Sequence, residues 1–262
     1  MKALMMARRE LDDRAFDSIS QMVYDACGIN LGAHKKALVS ARLAKRLNAL
    51  GIDSYREYIE YIRNDSTRGE LTEMVNVIAT NVTSFFREID HFVFLQKRIK
   101  EMLAAGQNRI RIWSAACSTG EEPYTIALVL KEVIQSPVAD VKILASDIDT
   151  DVLAKAKAGV YREDKLKPIA LGLRDRYFTK RELLAKTEYE IKPSLREWIV
   201  FKRLNLINSP YQMAGPFDFI FCRNVMIYFD NAIRQRILSE MYRLVRPGGH
   251  LIVGHAEGLT GM

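Results

Sequence analysis

Between residue 16 and about residue 80, apolar side chains recur three or four positions apart in FDSISQMVYDACGI, HKKALVSARLAKRLNAL, SYREYIEYIRN and ELTEMVNVIATNV. That spacing lays them along one face of an α-helix. Gly28, Gly51 and Asn64-Asp65 punctuate the series, so residues 1–80 read as a small all-helical domain. From about residue 109 the period changes. Short apolar runs (RIRIW, VKILASD, FDFIFCRN) alternate with longer helical patterns (PYTIALVLKEVI, TDVLAKAKAG, NAIRQRILSEMYRLV), and HLIVGH follows. Alternation of this kind predicts a parallel sheet with crossover helices. Residues 81–262 are therefore expected to form a doubly wound α/β domain.

A charged segment between Tyr161 and Leu206 breaks the alternation. Within it RYFTKR, TEYEIKP and EWIVFKRLN have the look of short strands with exposed alternate positions. They predict a small antiparallel sheet inserted at about 161–203. The chain ends at AEGLTGM with no obvious final strand pair, which reads as a curtailed C-terminal edge.

Composition places the chain among ordinary globular proteins: its 262 residues are 48% hydrophobic and 27% charged. No apolar run is long enough to span a bilayer. MKALMMARRELDD turns acidic early and lacks a small-residue cleavage site, so a cytoplasmic protein without direct membrane insertion is expected. Three cysteines lie far apart with no CxxC pair, and four histidines show no ligand spacing. Neither a disulfide framework nor a metal site is suggested. The net charge of +7 favours an acidic partner without saying which.

The chemistry begins at WSAACSTGEEPYTIAL, residues 113–128, a strand end, tight loop and helix start. A pyrophosphate at such a place needs several glycines and a helix N-terminus free of carboxylates. Here the loop has one glycine, and Glu121 and Glu122 stand just before Pro123, a residue suited to the first helical position. Two acids would repel phosphate but tolerate a cationic, phosphate-free ligand, and S-adenosylmethionine is one. Taken alone, either glutamate could equally be complementing the helix dipole. VKILASDID adds Asp147 at the end of the next strand, where nucleoside-binding domains place an acceptor for ribose hydroxyls. Asp149, followed by Thr150, is more simply a helix N-cap. A third strand, FDFIFCRNVMIYF, carries Arg223, Asn224 and Tyr228 toward the same edge, a more polar ending than packing requires. The Asn/Asp-Pro-Pro-aromatic tetrad of base-modifying N-methyltransferases is absent from it, which argues against nucleic acid as substrate. Trp113 reads mainly as strand packing.

NVTSFFRE (81–88), WSAACSTGEEPY (113–124), ASDID (145–149) and FCRNVMIYF (221–229) together closely resemble the CheR family of chemotaxis receptor methyltransferases, in order and across essentially the whole chain. The resemblance implies a class I (Rossmann-like) methyltransferase with an N-terminal all-helical domain and a small inserted β-subdomain. It also implies methyl transfer from S-adenosylmethionine, leaving S-adenosylhomocysteine, to the side-chain carboxylate of specific glutamates on the cytoplasmic helical domain of methyl-accepting chemotaxis proteins. Carried over residue by residue, the cofactor pocket falls on Asn81, Thr83, Arg87, Glu122, Asp147, Asn205, Leu206, Arg223 and Asn224. Tyr228 matches the tyrosine beside the transferred methyl. Arg87 can hold a carboxylate, either that of the cofactor's methionine moiety or that of the incoming glutamate.

In residues 34–51, Lys35, Lys36, Arg42, Lys45 and Arg46 occur without any acid. At ~100° per residue Lys35, Arg42, Lys45 and Arg46 share roughly a quarter turn, beside an apolar stripe of Val39, Leu43, Leu47 and Leu50. This cationic ridge is the expected docking face for an acidic partner, and the resembling family meets its glutamate-rich receptor helices with this domain. TKRELLAKTEYE has no glycine between Phe178 and Glu190, whereas family members that tether to a receptor's C-terminal peptide carry a glycine-containing loop there. Tethering is not expected. Two rivals remain: a methyltransferase acting on nucleic acid or a small molecule, and a noncatalytic module that senses the cofactor.

Overall fold

The computed structural model describes residues 10–258 apart from 135, 137, 184 and 185. The chain divides into two compact units, one holding the residues up to Thr80 together with Tyr228–Arg234, the other Asn81–Ile227 and the chain from Gln235 onward.

The helical unit contains α1 (Asp13–Cys27), α2 (Lys36–Leu50), α3 (Tyr55–Asn64) and α4 (Gly69–Ile78), with a short 3-10 turn at Ala33–Lys35. Local chemistry sets the ends. Asp12 caps α1 through the Ala15 N–H and Ser54 caps α3 through the Glu57 N–H. Gly28 and Gly51 close α1 and α2 at φ 74° and 68°, left-handed values that glycine adopts without strain. Phe16, Ile19 and Val23 of α1 and Val39, Leu43 and Leu47 of α2 are all buried, following the predicted spacing. Arg46 donates to both oxygens of buried Glu70, at 3.0 and 2.6 Å, and the Tyr58 hydroxyl adds a third bond at 2.7 Å.

In the second unit α5 (Asp90–Ala104) precedes β1 (Arg109–Ser114), α6 (Glu121–Val133), β2 (Asp140–Asp147) and α7 (Thr150–Ala158). The periodicity reading passed over α5, whose buried Phe92, Leu95, Ile99 and Met102 keep helical spacing between two motif-bearing stretches. After the insertion come β6 (Ile199–Arg203), β7 (Phe217–Cys222), α10 (Asn231–Leu244) and β8 (Val245–Val253). The sheet order is β6-β2-β1-β7-β8, every pairing parallel. Both faces are covered, so β7 is buried at all six positions and reads as an unbroken apolar run. Its Asp218 is buried but satisfied, accepting from the Arg111 N–H and the Gln107 amide and facing the Arg246 guanidinium at 3.0 Å.

The inserted sheet differs in membership from the expectation. Its strands are β3 (Val160–Arg162), β4 (Phe178–Leu183) and β5 (Lys186–Ile191), antiparallel in the order β3-β5-β4, with α8 (Leu171–Tyr177) before β4 and α9 (Pro193–Arg196) after β5. EWIVFKRLN does not join it. That segment supplies β6, the edge strand of the main sheet, paired in parallel with β2 from Ile143↔Ile199 to Asp147↔Arg203. An edge strand is half-buried, as a strand of a small exposed sheet is, so alternation cannot distinguish the two. The loop read for tethering includes residues 184 and 185, which lie outside the described residues.

Removing the Glu70 carboxylate leaves the Arg46 guanidinium and the Tyr58 hydroxyl without their shared acceptor. Glu70→Ala is expected to lower stability by about 2–3 kcal/mol, seen as a reduced urea midpoint at unchanged m-value.

Candidate functional site

The site is built where β1, β2 and β7 end side by side. Ser114 closes β1, Asp147 closes β2, and Arg223-Asn224 follow β7 directly. Two further segments reach the same edge. The 81–88 stretch is drawn in by Asn81, whose amide donates to Asp149 (2.6 Å) and whose carbonyl accepts from the Ser118 hydroxyl (2.9 Å). The loop after β6 is fixed by the Leu204 N–H donating to the Asp147 carbonyl, at 2.9 Å. Asn205 and Leu206 follow at once, the latter accepting the Tyr211 hydroxyl through its carbonyl. Of the sequence-predicted set, Asn81, Glu122, Asp147, Asn205, Leu206, Arg223 and Asn224 therefore converge.

The loop's lone glycine turns out to serve packing. Gly120 sits at φ 97°, and a Cβ there would fall 2.8 Å from the Tyr161 hydroxyl and 2.9 Å from the Ala156 Cβ. Gly120 caps α6, which begins at Glu121, two residues earlier than Pro123 suggested. Pro123 takes the third helical position, where its missing N–H removes no intrahelical bond.

Both first-turn acids are buried. Glu121 accepts from the Thr119 hydroxyl, while its other oxygen has no hydrogen-bond partner and lies 3.9 Å from the Lys165 ammonium. Glu122 accepts from the Ser114 hydroxyl (2.7 Å) and the Arg223 Nη1 (2.9 Å). Burial pushes the Glu122 carboxyl above its ordinary range, against the pull of Arg223 and Ser114. Arg223 is equally enclosed. Its Nη2 reaches Glu88 at 3.0 Å and the Arg87 carbonyl, and its guanidinium lies 5.4 Å from the centre of the Phe92 ring. A charge buried this deeply must be paired, and two acids from separate segments do it.

Asp147 is buried and accepts the Ser118 N–H (2.8 Å) and the Asp149 N–H (3.0 Å). Burial raises its carboxyl above the usual range, partly opposed by those backbone bonds. Asp149 caps α7, accepting from the Asp151 and Val152 N–H groups, as its position before Thr150 indicated. Trp113 is fully buried and donates to the Ser146 hydroxyl; its role is packing.

Sequence reasoning missed two acids. Glu88 accepts from Arg223, from the Asn224 amide (3.1 Å) and from the His255 N–H (3.3 Å). Burial pushes its carboxyl up, but Asn224 and Arg223 outweigh this and hold it below the ordinary range. Glu257 accepts three backbone N–H groups. Neither lies at a strand end, so position offered no signal; the Arg-Glu of NVTSFFRE was the one hint. Glu88 also lies within 4.8 Å of ring nitrogens of His91 and His255, but its charge is already matched by Arg223. Among the five described non-glycine residues with positive φ, Phe86, Glu88, Ser118 and Asn224 all belong to these segments. Such backbone persists where surrounding contacts over-determine it, typically at a ligand site.

Elsewhere the sequence expectations need correction. Arg42 is not part of a free ridge: its Nη1 donates to the carbonyls of Ile78 and Ala79, capping the end of α4. Arg46 is committed to Glu70 and lies near Glu73. Lys36 pairs with Asp13, and Lys35 sits in the 3-10 turn before α2, 5.2 Å from the Tyr228 ring centre. Lys45 is exposed. The balancing acids come from α1 and α4, so inspecting one segment for them overstated the positive face. Tyr228 itself belongs to the helical unit, its carbonyl accepting the Asn30 N–H. Arg87 is half-buried and donates to the Val82 carbonyl; Thr83 is likewise half-buried.

Two carboxylates, Glu88 and Glu122, thus face one guanidinium at the carboxyl edge of a parallel sheet, and a third, Asp147, closes β2 on backbone N–H groups. No phosphate cradle is present among the described residues, since the one loop glycine is taken up by packing. This donor set fits a nucleoside bearing a positive charge, and with the sheet it defines a class I S-adenosylmethionine-dependent methyltransferase. The chain belongs to the CheR family: residues 81–262 match "CheR methyltransferase, SAM binding domain" and residues 14–79 match "CheR methyltransferase, all-alpha domain". It is 39% identical over 256 residues to the chemotaxis protein methyltransferase of Escherichia coli K12, spanning 98% of this chain and 88% of that protein. Chemotaxis protein methyltransferase 2 of Pseudomonas aeruginosa is 40% identical over 94% of this chain and 86% of its own. The Borreliella burgdorferi chemotaxis protein methyltransferase is 38% identical over 92% and 87%. The cofactor is S-adenosylmethionine, and the family places the enzyme in chemotaxis. No described helix is long and apolar enough to cross a membrane.

Asp147→Ala is expected to weaken S-adenosylmethionine binding by about 1.5–3 kcal/mol, measured by calorimetry. A raised folded-state carboxyl means that Asp147 favours folding most at low pH and progressively less as pH rises through its folded value. The cofactor-free variant should therefore show a shallower decline in melting temperature than the parent as pH rises from the ordinary carboxylate range toward neutrality.

Proposed function

We propose that the enzyme transfers the methyl group to the side-chain carboxylate of glutamates on the cytoplasmic helical domain of chemoreceptors, forming methyl esters. The observation that supports this reading is the acid-lined edge itself, where Glu88 and Glu122 pair with Arg223 and none of the cysteines among the described residues is exposed. Cys117 and Cys222 are buried, with thiols pushed well above their ordinary range by desolvation, so neither serves as a nucleophile. A glutamate substrate needs none. With a reference pKa of ~4.3 it is already a carboxylate at neutral pH.

When bound, the cofactor supplies an electrophilic methyl group on a positively charged sulfur. The residues' task is alignment and exclusion of water. Asp147 is assigned to the ribose hydroxyls, using lone pairs not committed to the Ser118 and Asp149 N–H groups. Asn81, Thr83, Asn205, Leu206 and Asn224 are assigned to the adenosyl portion and its surroundings. Glu122 and Arg223 act as a pair: Arg223 pulls the Glu122 carboxyl toward its charged form against the effect of burial, and Glu122 compensates the buried guanidinium. Arg87, half-exposed, is assigned to a carboxylate, that of the cofactor or that of the substrate. Tyr228 carries the family's role beside the transferred methyl. As the carboxylate oxygen bonds to the methyl carbon, the carbon–sulfur bond breaks and its electron pair stays on sulfur. A methyl ester and neutral S-adenosylhomocysteine result, with no proton transferred.

For receptor docking the helical unit offers less free charge than its sequence suggested. Lys35 and Lys45 remain assigned to the acidic partner, with Arg42 and Arg46 acting through the folded unit that presents them.

Incubation with methyl-labelled S-adenosylmethionine and receptor cytoplasmic fragments should give label that alkali releases as methanol. Alkali-stable label, or label on RNA, DNA or a metabolite instead, would refute the assignment. Tyr228→Phe and Arg87→Ala should each slow receptor methylation at least tenfold; unchanged rates beside tight cofactor binding would favour a sensing module.

A further inference from the structure

Glu257 lies just after β8, outside every motif that marks the site, yet its buried carboxylate gathers three backbone N–H groups from two segments. Oε2 accepts from Asn224 at 2.5 Å and from Gly254 at 2.7 Å, and Oε1 accepts from Met226 at 2.7 Å. The acceptor stands beside left-handed backbone, for Asn224 is held at φ 57°, a conformation rare for side-chain-bearing residues and one that asparagine adopts more readily than most. Hydrogen bonds to a charged acceptor are roughly twice as strong as neutral ones. Two of them flank Asn224, on its own N–H and on that of Met226.

The opposite wall is as closely fitted. A Cβ on Gly254 would lie 2.5 Å from the Asn224 Nδ2 and 2.8 Å from the Glu257 Oε2. The end of β8 thus approaches the Asn224 side chain as closely as a residue without a side chain allows. Asn224 is then held on three sides: its N–H by Glu257, its amide nitrogen by Glu88, and its flank by Gly254.

We propose that Glu257 is the positioning residue of the cofactor pocket. It fixes the left-handed turn after β7 so that the Asn224 side chain is oriented for S-adenosylmethionine before the cofactor arrives. The inference rests on the assignment of Asn224 to the pocket made above. Orientation in advance removes an ordering cost from binding, so losing it should appear in cofactor affinity more than in turnover at saturation.

Glu257→Gln keeps the size but places an amide NH2 where three N–H groups converge. It should weaken S-adenosylmethionine binding about tenfold by calorimetry and raise the KM for the cofactor in step, leaving kcat at saturation within about threefold. Combined with Asn224→Ala the effects should not multiply: Asn224→Ala, costing about tenfold in the parent, should cost less than about threefold in the Glu257→Gln background. A merely structural role would give multiplying losses, or a fall in kcat with unchanged affinity, and either result overturns the proposal. If Asn224→Ala weakens binding while folded Glu257→Gln binds as the parent does, the proposal alone falls. If Asn224→Ala leaves affinity unchanged, the pocket assignment of Asn224 falls and the proposal with it. Should Glu257→Gln fail to fold, Gly254→Ala crowds the same carboxylate and the same amide. It should give the same tenfold loss, and parental affinity there would equally overturn the proposal.

Discussion

The arrangement depends on one electrostatic requirement: Arg223, at the end of the most deeply buried strand, cannot keep its charge out of water unless acids come to it. Glu122 comes from the first turn of α6 and Glu88 from the stretch that opens the second unit. Neither segment is near Arg223 in sequence, and the guanidinium joins them. Desolvating a charge costs several kcal/mol unless close partners compensate. Pairing therefore selects one relative placement of the three segments at the carboxyl edge of the sheet.

Much of this was legible from spacing. The four helices of the front unit, the alternation of strand and helix after residue 109 and the position of Asp147 at a strand end all follow from periodicity and from where parallel sheets present their ligands. β6 was visible as a strand but went to the wrong sheet, because an edge strand and a strand of a small exposed sheet carry the same alternation. α5 was passed over because its apolar positions run on from a motif read for its polar residues. The cationic ridge was overstated for a different reason. Arg42 and Arg46 find their partners in α4, some thirty residues away, and a local charge balance cannot register pairing at that distance.

The site was legible where a residue stood at the end of an element and illegible where its importance came from contacts alone. Asp147, Arg223 and Asn224 occupy strand ends. Glu88 and Glu257 are single acids in loops, and what marks them is the number of donors they collect. The positive-φ residues make the same point. Nothing in the letters SFFRE or CRN announces left-handed backbone, yet four such residues cluster around one edge.

Gly120 leaves no room between the loop and its neighbours, and the neighbour that closes on it is Tyr161, whose hydroxyl also donates to the Thr119 carbonyl at 2.7 Å. Tyr161 belongs to β3, so the inserted sheet braces the loop from outside. For anyone redesigning this scaffold the insertion is thus not free to be exchanged: β3 is held by its pairing with β5, Phe178 of β4 meets the Phe85 ring, and excising these strands would strip the buttress from the turn before α6.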